Sequence, residues 1–173
     1  LWRNEEGLLT ENYGEARRIN AGSPEPLWTG GFNTELSWKG ISLGIQLEAR
    51  YGNKVLNQDR SLFEADGSYG DSNIWKGAMN YWKKPGDTNV LPKPVYNNSS
   101  NSSAISTRYL EDGSYLRIKD ITLAYSLPSK WTKKALMSGV RIYASALNLY
   151  TFHNMNYWDP EHGTSGATII SYP

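Results

Sequence analysis

Between residues 28 and 51 the chain alternates apolar and polar positions almost without a break. Trp28, Gly30, Phe32, Thr34, Leu36 and Trp38 fall on one face of an extended strand, and Thr29, Gly31, Asn33, Glu35 and Ser37 on the other. The next run sets Ile41, Leu43, Ile45, Leu47, Ala49 and Tyr51 against Ser42, Gly44, Gln46, Glu48 and Arg50. Period-two alternation of this length predicts two half-buried strands, 28–38 and 41–51. With Lys39 and Gly40 as a two-residue turn, Trp38 faces Ile41, Leu36 faces Leu43, Phe32 faces Leu47 and Trp28 faces Tyr51. Every apolar residue then lies on one side, and a slip of one residue would destroy the match. Gly40 suits a tight hairpin, although Lys39 is not the Asn or Asp that a type I′ turn prefers.

Strand length discriminates between architectures. Ten steps of about 3.3 Å, tilted by about 45°, rise about 23 Å, close to the ~25 Å apolar band of an outer-membrane barrel. Trp38 stands at one end of that band and the Trp28–Tyr51 pair at the other, which makes these three the expected membrane-interface aromatics. A soluble sandwich also alternates, but its strands have a mode near five or six residues. The hairpin favours the barrel and leaves the sandwich open.

Residues 52–108 lose the alternation and collect Gly, Pro, Asn and Ser, including the tract NNSSNSSAIS at 97–106. They are expected to form one long loop, irregular apart from short helical turns around 73–82. Barrels alternate short periplasmic turns with long extracellular loops, and this asymmetry fits. The sequons at Asn97, Asn98 and Asn101 read only as polar loop. A third strand is expected at 114–127. Leu116 and Ile118 set one phase and Ile121, Leu123, Tyr125 and Leu127 the other, so a β-bulge belongs near Lys119–Asp120. Residues 128–139 suggest a helical turn opened by Pro128 and Ser129 and ended by Gly139. A fourth strand, 140–152, is apolar on both faces, so its orientation stays open, and 153–173 read as loop.

Composition adds limits. Lys and Arg number 18 against 17 Asp and Glu, so no charge excess points to nucleic acid. No cysteine is present, which excludes disulfides, thiolate metal sites and a cysteine nucleophile. Twelve Tyr and seven Trp suit boundaries between water and something apolar. Residues 1–20 lack the apolar core of a signal peptide. No apolar run is long enough for a transmembrane helix, which leaves a membrane barrel open.

The segment YLEDGSYLRIKDITLAYSLP (109–128) resembles the late-barrel signature of SusC/RagA-type TonB-dependent outer-membrane transporters. GSPEPLWTGGF (22–32), WKGISLGIQLEARYGNKV (38–55), VRIYASALNLYTF (140–152) and YWDPE (157–161) follow in that family's order at similar spacing. The likeness covers nearly the whole chain from Gly22, and the 109–128 stretch is its most specific part. Residues 5–19 match poorly where family members carry an acidic Asp/Gly-rich loop. The family's final aromatic-ended strand is not reached before Tyr172–Pro173, and the plug domain is missing, so truncation at both ends is expected. The resemblance implies an all-β fold, antiparallel strands of a partial transmembrane barrel, in the bacterial outer membrane. It implies TonB-energised import of oligosaccharides or oligopeptides with a SusD-like surface lipoprotein, TonB acting through the missing N-terminal region. Outer-membrane lipid is the expected surroundings. No enzyme activity, cofactor or nucleic-acid partner is expected.

Candidate chemistry is sparse. His153 and His162, with Asp159 and Glu161 nearby, form a conceivable metal set, but polar loop residues explain them more simply, so no metal site is assigned. Glu111 and Asp112 read as turn residues with Gly113 rather than as a glycosidase pair. Asp120 either contacts sugar hydroxyls in a lumen, pairs with a base such as Lys119, or sits at the bulge. Trp75, Tyr81 and Trp82 are the expected ligand contacts, by stacking on sugar rings or packing beneath a lipoprotein, against the alternative that they fold the loop on itself. The rival from another class is a soluble secreted β-sandwich that binds carbohydrate.

Overall fold

The computed structural model describes residues 2–64, 66–67, 73–88, 90–96, 98, 101–134, 136–156 and 158–162. In chain order the elements are β1 (Trp2–Arg3), β2 (Leu9–Thr10), β3 (Trp28–Trp38), β4 (Ile41–Tyr51), β5 (Lys54–Leu56), α1 (Gln58–Phe63), β6 (Leu110–Asp112), β7 (Tyr115–Ser126), α2 (Ser129–Lys134) and β8 (Arg141–His153). Short 3-10 turns lie at Tyr13–Glu15, Lys76–Met79, Thr107–Tyr109 and Pro160–His162. Four strands form an antiparallel sheet in the order β3-β4-β7-β8, and β1 with β2 and β5 with β6 form small pairs. Two compact units result. A sheet unit holds Glu25–Asn53 and Asp112–Glu161, and a loop unit holds the described residues of 1–24, 54–111 and 162–173.

The β3–β4 hairpin has the register that the alternation demands, from Trp28 opposite Tyr51 to Trp38 opposite Ile41. Lys39 and Gly40 both take positive φ, 46° and 87°, the requirement of a type I′ turn, so the turn forms despite the unfavoured Lys39. The Lys39 ammonium lies 4.7 Å from the centre of the Trp38 ring, an attraction that favours this placement. Gly40 is held more tightly. Its carbonyl accepts the Ser126 amide at 2.7 Å, and a Cβ there would sit 2.9 Å from the Ser126 carbonyl oxygen. Gly40→Ala is therefore expected to destabilise the β4–β7 edge by about 1–2 kcal/mol, the cost of an L-residue in this backbone region. Faster hydrogen exchange at the Ser126 amide would register it.

The bulge in β7 falls where the change of phase places it. Gln46 pairs with Asp120 and Leu47 with Ile118, so Lys119 is the extra residue. Ile118 and Ile121 thereby face the same side although they are three apart. On the other flank Ile118 pairs with Tyr150 and Asp120 with Leu147, leaving Asn148 and Leu149 against Lys119. Asn148 takes a φ of 49°, which Asn tolerates better than most residues. This register settles the orientation of β8. Ile142, Ala144, Ala146, Tyr150 and Phe152 share the apolar face, and Tyr143, Ser145, Leu147, Thr151 and His153 lie on the polar one.

Two expectations need correction. The helix after β7 ends before Gly139. α2 stops at Lys134, and Leu136, with φ 57°, turns the chain while Met137 donates to the Thr132 carbonyl at 3.0 Å. The span 52–108 is mostly irregular, and the turn at Lys76–Met79 falls inside 73–82, but α1 and β5 lie outside that window. Asn57 starts α1 by accepting the Arg60 amide on its side chain at 3.3 Å, an N-cap.

The loop unit packs on Tyr109, which is fully buried against Leu56 with Ile105 and Leu110 around it. The guanidinium groups of Arg60 and Arg108 lie 5.9 and 5.2 Å from the centre of its ring. Arg60 in turn bridges Glu64 at 2.9 Å and Glu111 at 2.7 Å. Glu111 is thus part of a buried ion network, not the turn. Asp112 alone does the turn chemistry, accepting the Ser114 amide at 3.1 Å and the Ser114 hydroxyl at 2.7 Å. The Tyr13 hydroxyl donates to the Ile105 carbonyl at 2.8 Å and ties the first residues to this core.

Candidate functional site

The sheet has two unlike faces. On the apolar face Trp28, Phe32, Leu36 and Trp38 stand 56–68% exposed, with Tyr51, Ile142, Tyr150 and Phe152 similarly open. No opposing layer among the described residues covers them. Trp28 and Tyr51 form the end pair of the ladder and Trp38 sits beside the turn at the other end, so the three expected interface aromatics occupy the two rims of one face.

The polar face carries an ion network that pattern reading missed. Arg117, the third residue of β7, is buried, and its Nε donates to the Thr151 hydroxyl of β8 at 2.8 Å. Its two terminal nitrogens engage Asp159 and Glu161. These acids belong to the segment after β8, which folds back onto the sheet. Asp159 also accepts the Glu161 amide at 2.9 Å and so shapes the 3-10 turn begun by Pro160. Burial works against ionisation of Asp159, but the Glu161 amide and the Arg117 guanidinium outweigh it and hold its carboxyl below the usual range. The Tyr115 hydroxyl donates to Glu48 at 2.7 Å. It has one proton to give, so the contact to Glu161 at 3.3 Å is secondary. Lys119, the bulge residue, reaches Glu48 at 3.0 Å and Glu161 at 3.8 Å.

Asp159 and Glu161 are therefore committed to Arg117 and Lys119, and among the described residues no group of three His, Asp or Glu side chains is arranged to hold a metal. The side chain of His162 lies outside the described atoms. His153 ends β8 opposite Tyr115. Asp120 sits beside the bulge and accepts the Thr122 hydroxyl at 2.8 Å. The network can fix a wall and a returning segment; it holds no carboxylate pair poised across a scissile bond. Arg117→Ala is expected to release residues 158–161 from the sheet. Breaking a buried pair costs roughly 3–5 kcal/mol, and the exposure of both acids above one third lowers this to about 2 kcal/mol. Limited proteolysis of the full-length protein at 154–162 would detect it, and Arg117→Lys should rescue only partly because it lacks the two-pronged fork.

In the loop unit the three predicted aromatics separate. Trp82 lines a cleft of about 890 Å³ together with Trp2, Arg3, Arg17, Lys93 and Arg108. Trp75 and Tyr81 are not among its described lining residues. Trp75 opens the turn at Lys76–Met79, its amide donating to the Phe63 carbonyl at 2.8 Å. Tyr81 bridges Leu91 and has the Lys83 ammonium 5.4 Å from its ring centre. Those two positions suit folding of the loop. Basic residues at 3, 17, 93 and 108 have no common spacing, so only the fold unites them.

A sheet of long alternating strands, apolar on one face and charged on the other, is a section of transmembrane β-barrel wall. No protein-family model matches the chain. It is 34% identical over 146 residues to the TonB-dependent receptor P3 of Formosa agariphila, covering 84% of this chain, and 28% identical over 153 residues to receptor P26 of the same organism, covering 86%. Among solved structures it resembles the RagAB peptide importer in its open-open state, with a TM-score of 0.76 and 30% identity over 92% of this chain. The closed-closed state gives a TM-score of 0.70 and 33% identity over 83%. The chain belongs to the TonB-dependent receptors. It spans 14–15% of the length of those two receptors and 16–17% of the solved chains.

Proposed function

We propose that this chain forms part of the wall and outer loops of a TonB-energised importer in the bacterial outer membrane, within the late barrel of the longer protein. In this reading the apolar face meets lipid, with Trp28 and Tyr51 at one interface and Trp38 at the other. The face carrying Arg117, Glu48 and Lys119 lines the lumen. The Lys39–Gly40 turn is periplasmic and residues 52–108 are extracellular. The cargo is an oligosaccharide, or an oligopeptide as in the importer that the solved relatives represent. A SusD-like lipoprotein covers the outer mouth, and TonB acts through a region outside this chain. Trp75, Tyr81 and Trp82 are the aromatics offered to cargo or lipoprotein. The activity is transport, not catalysis.

One observation carries the reading: strands of 11–13 residues share one continuous apolar face and put their charges on the other. A soluble sandwich would bury that face against a second sheet. The test is uptake of labelled oligosaccharides and peptides by cells carrying the full-length protein, with and without TonB. Uptake is expected to need both the protein and TonB. Uptake indifferent to TonB, or recovery of the protein in the soluble periplasmic fraction, would count against it.

A further inference from the structure

We propose that the cleft in the loop unit selects anionic oligosaccharides, sugars whose rings carry carboxylate or sulfate groups. This deepens the importer reading and rests on it. The cleft, about 890 Å³, is in the size range of ligand sites, roughly 300–1,000 Å³. Four cations line it, Arg3, Arg17, Lys93 and Arg108. Asp87 is the acid among its described lining residues, so cations outnumber acids along the lining even with that carboxylate ionised, one oxygen of which accepts the amides of Lys83 at 2.9 Å and Lys84 at 3.1 Å.

A second observation points the same way. Ser106 is 3% exposed and lines the cleft, yet its hydroxyl has no hydrogen-bond partner among the described residues; the Arg108 guanidinium, by contrast, is partly answered by Glu64, with Nη2 3.7 Å from that carboxylate. Buried polar groups are nearly always satisfied, so a hydroxyl left over on a cationic wall suits an anionic acceptor. Trp2 and Trp82 add flat apolar surfaces on which a sugar ring can lie. An acidic peptide fits less well. Peptides commonly bind by extending a strand edge, and two amides of the cleft wall are already used within it: Trp82 donates to Leu91 at 2.8 Å and Leu91 to Asn80 at 3.0 Å.

The test is calorimetry on the full-length transporter in detergent with four probes of matched length: an oligogalacturonate, a sulfated galactan oligomer, a neutral malto-oligosaccharide and an oligoglutamate. At least one anionic sugar should bind and the neutral sugar should not, and added salt should weaken binding. The carboxylate and sulfate arms show which anion is preferred. Arg17→Gln with Lys93→Gln, both exposed and so tolerated by the fold, should weaken the anionic sugar about tenfold. The proposal is overturned if neither anionic sugar binds, if the neutral sugar binds equally, or if the double variant changes nothing. Tighter binding of oligoglutamate would transfer the cleft to acidic peptides. TonB-dependent uptake measured on the same protein keeps the two readings apart, since uptake that survives such a result leaves the importer standing without this selectivity.

Discussion

Expressed by itself in water without detergent, this chain is expected to collect in large oligomers or inclusion bodies, and to disperse when refolded into micelles. The cause lies in the sheet unit. Trp28, Phe32, Leu36, Trp38, Ile142 and Phe152 are each more than half exposed on one face. Each is worth roughly 1.5–3 kcal/mol on full burial, so the face as a whole favours association by something on the order of 10 kcal/mol. Among the described residues β3 and β8 are the outer strands of the sheet, and no strand pairs with their outer edges. Neither feature is tolerable in water, and both are satisfied by lipid and neighbouring barrel strands. Light scattering after size exclusion in detergent-free buffer measures the outcome. A monodisperse monomer with a cooperative unfolding transition would sink the barrel reading and restore the soluble sandwich.

The second large effect is expected at Tyr109. Its ring is fully buried in the loop unit, close to the guanidinium groups of Arg60 and Arg108, and Arg60 also ties α1 to β6 through Glu111. Tyr109→Ala removes a whole aromatic side chain and should cost about 3–5 kcal/mol, the usual range for large aromatic truncations. The loss should be local, because the four-stranded sheet has its own ladder. Hydrogen exchange in the full-length protein should therefore accelerate at Asn57, whose amide donates to the Tyr109 carbonyl at 2.8 Å, and through α1, while β4 and β7 keep their protection. Tyr109→Phe is the informative control. The hydroxyl has no protein hydrogen-bond partner among the described residues, and burial pushes its ionisation upward. Deleting that oxygen should leave stability unchanged or slightly raised. Equal damage from both substitutions would mean that the hydroxyl, not the ring, holds the unit together.

What could be read from the chain, and what could not, divides along the range of the interactions. The β3–β4 register was legible because eleven consecutive pairs must all agree, and only one alignment puts every apolar residue on one side. The bulge was legible because two apolar phases meet in one strand. The orientation of β8 was not, because its own alternation is broken at Asn148 and Leu149 and only pairing with β7 assigns its faces. The Arg117 network was missed for a related reason. Its two acids, Asp159 and Glu161, lie more than forty positions away in a segment with no periodicity. The acids of that segment were noticed in sequence, but nothing local says they fold back to an arginine. α1 was not legible because six residues carry too little periodicity to mark a helix, and the loop cleft was not because four scattered basic residues become neighbours only after folding.

The extra residue in β7 has a further consequence for how this wall can change over time. Above and below Lys119 the strand obeys opposite parities, odd-numbered apolar residues on one side and even-numbered ones on the other, yet a single surface results. Deleting Lys119 would leave both neighbouring ladders demanding what one strand could no longer supply. Either Leu116 and Ile118 would turn onto the polar face and carry Arg117 onto the apolar one, or Ile121, Leu123 and Tyr125 would turn onto the polar face. Length changes here are therefore tolerable only when an adjoining strand changes with them, as the paired irregularity at Asn148 and Leu149 already illustrates. The spacing between Arg117 and Ile121 behaves as a fixed-length word in which individual letters can vary but the letter count cannot.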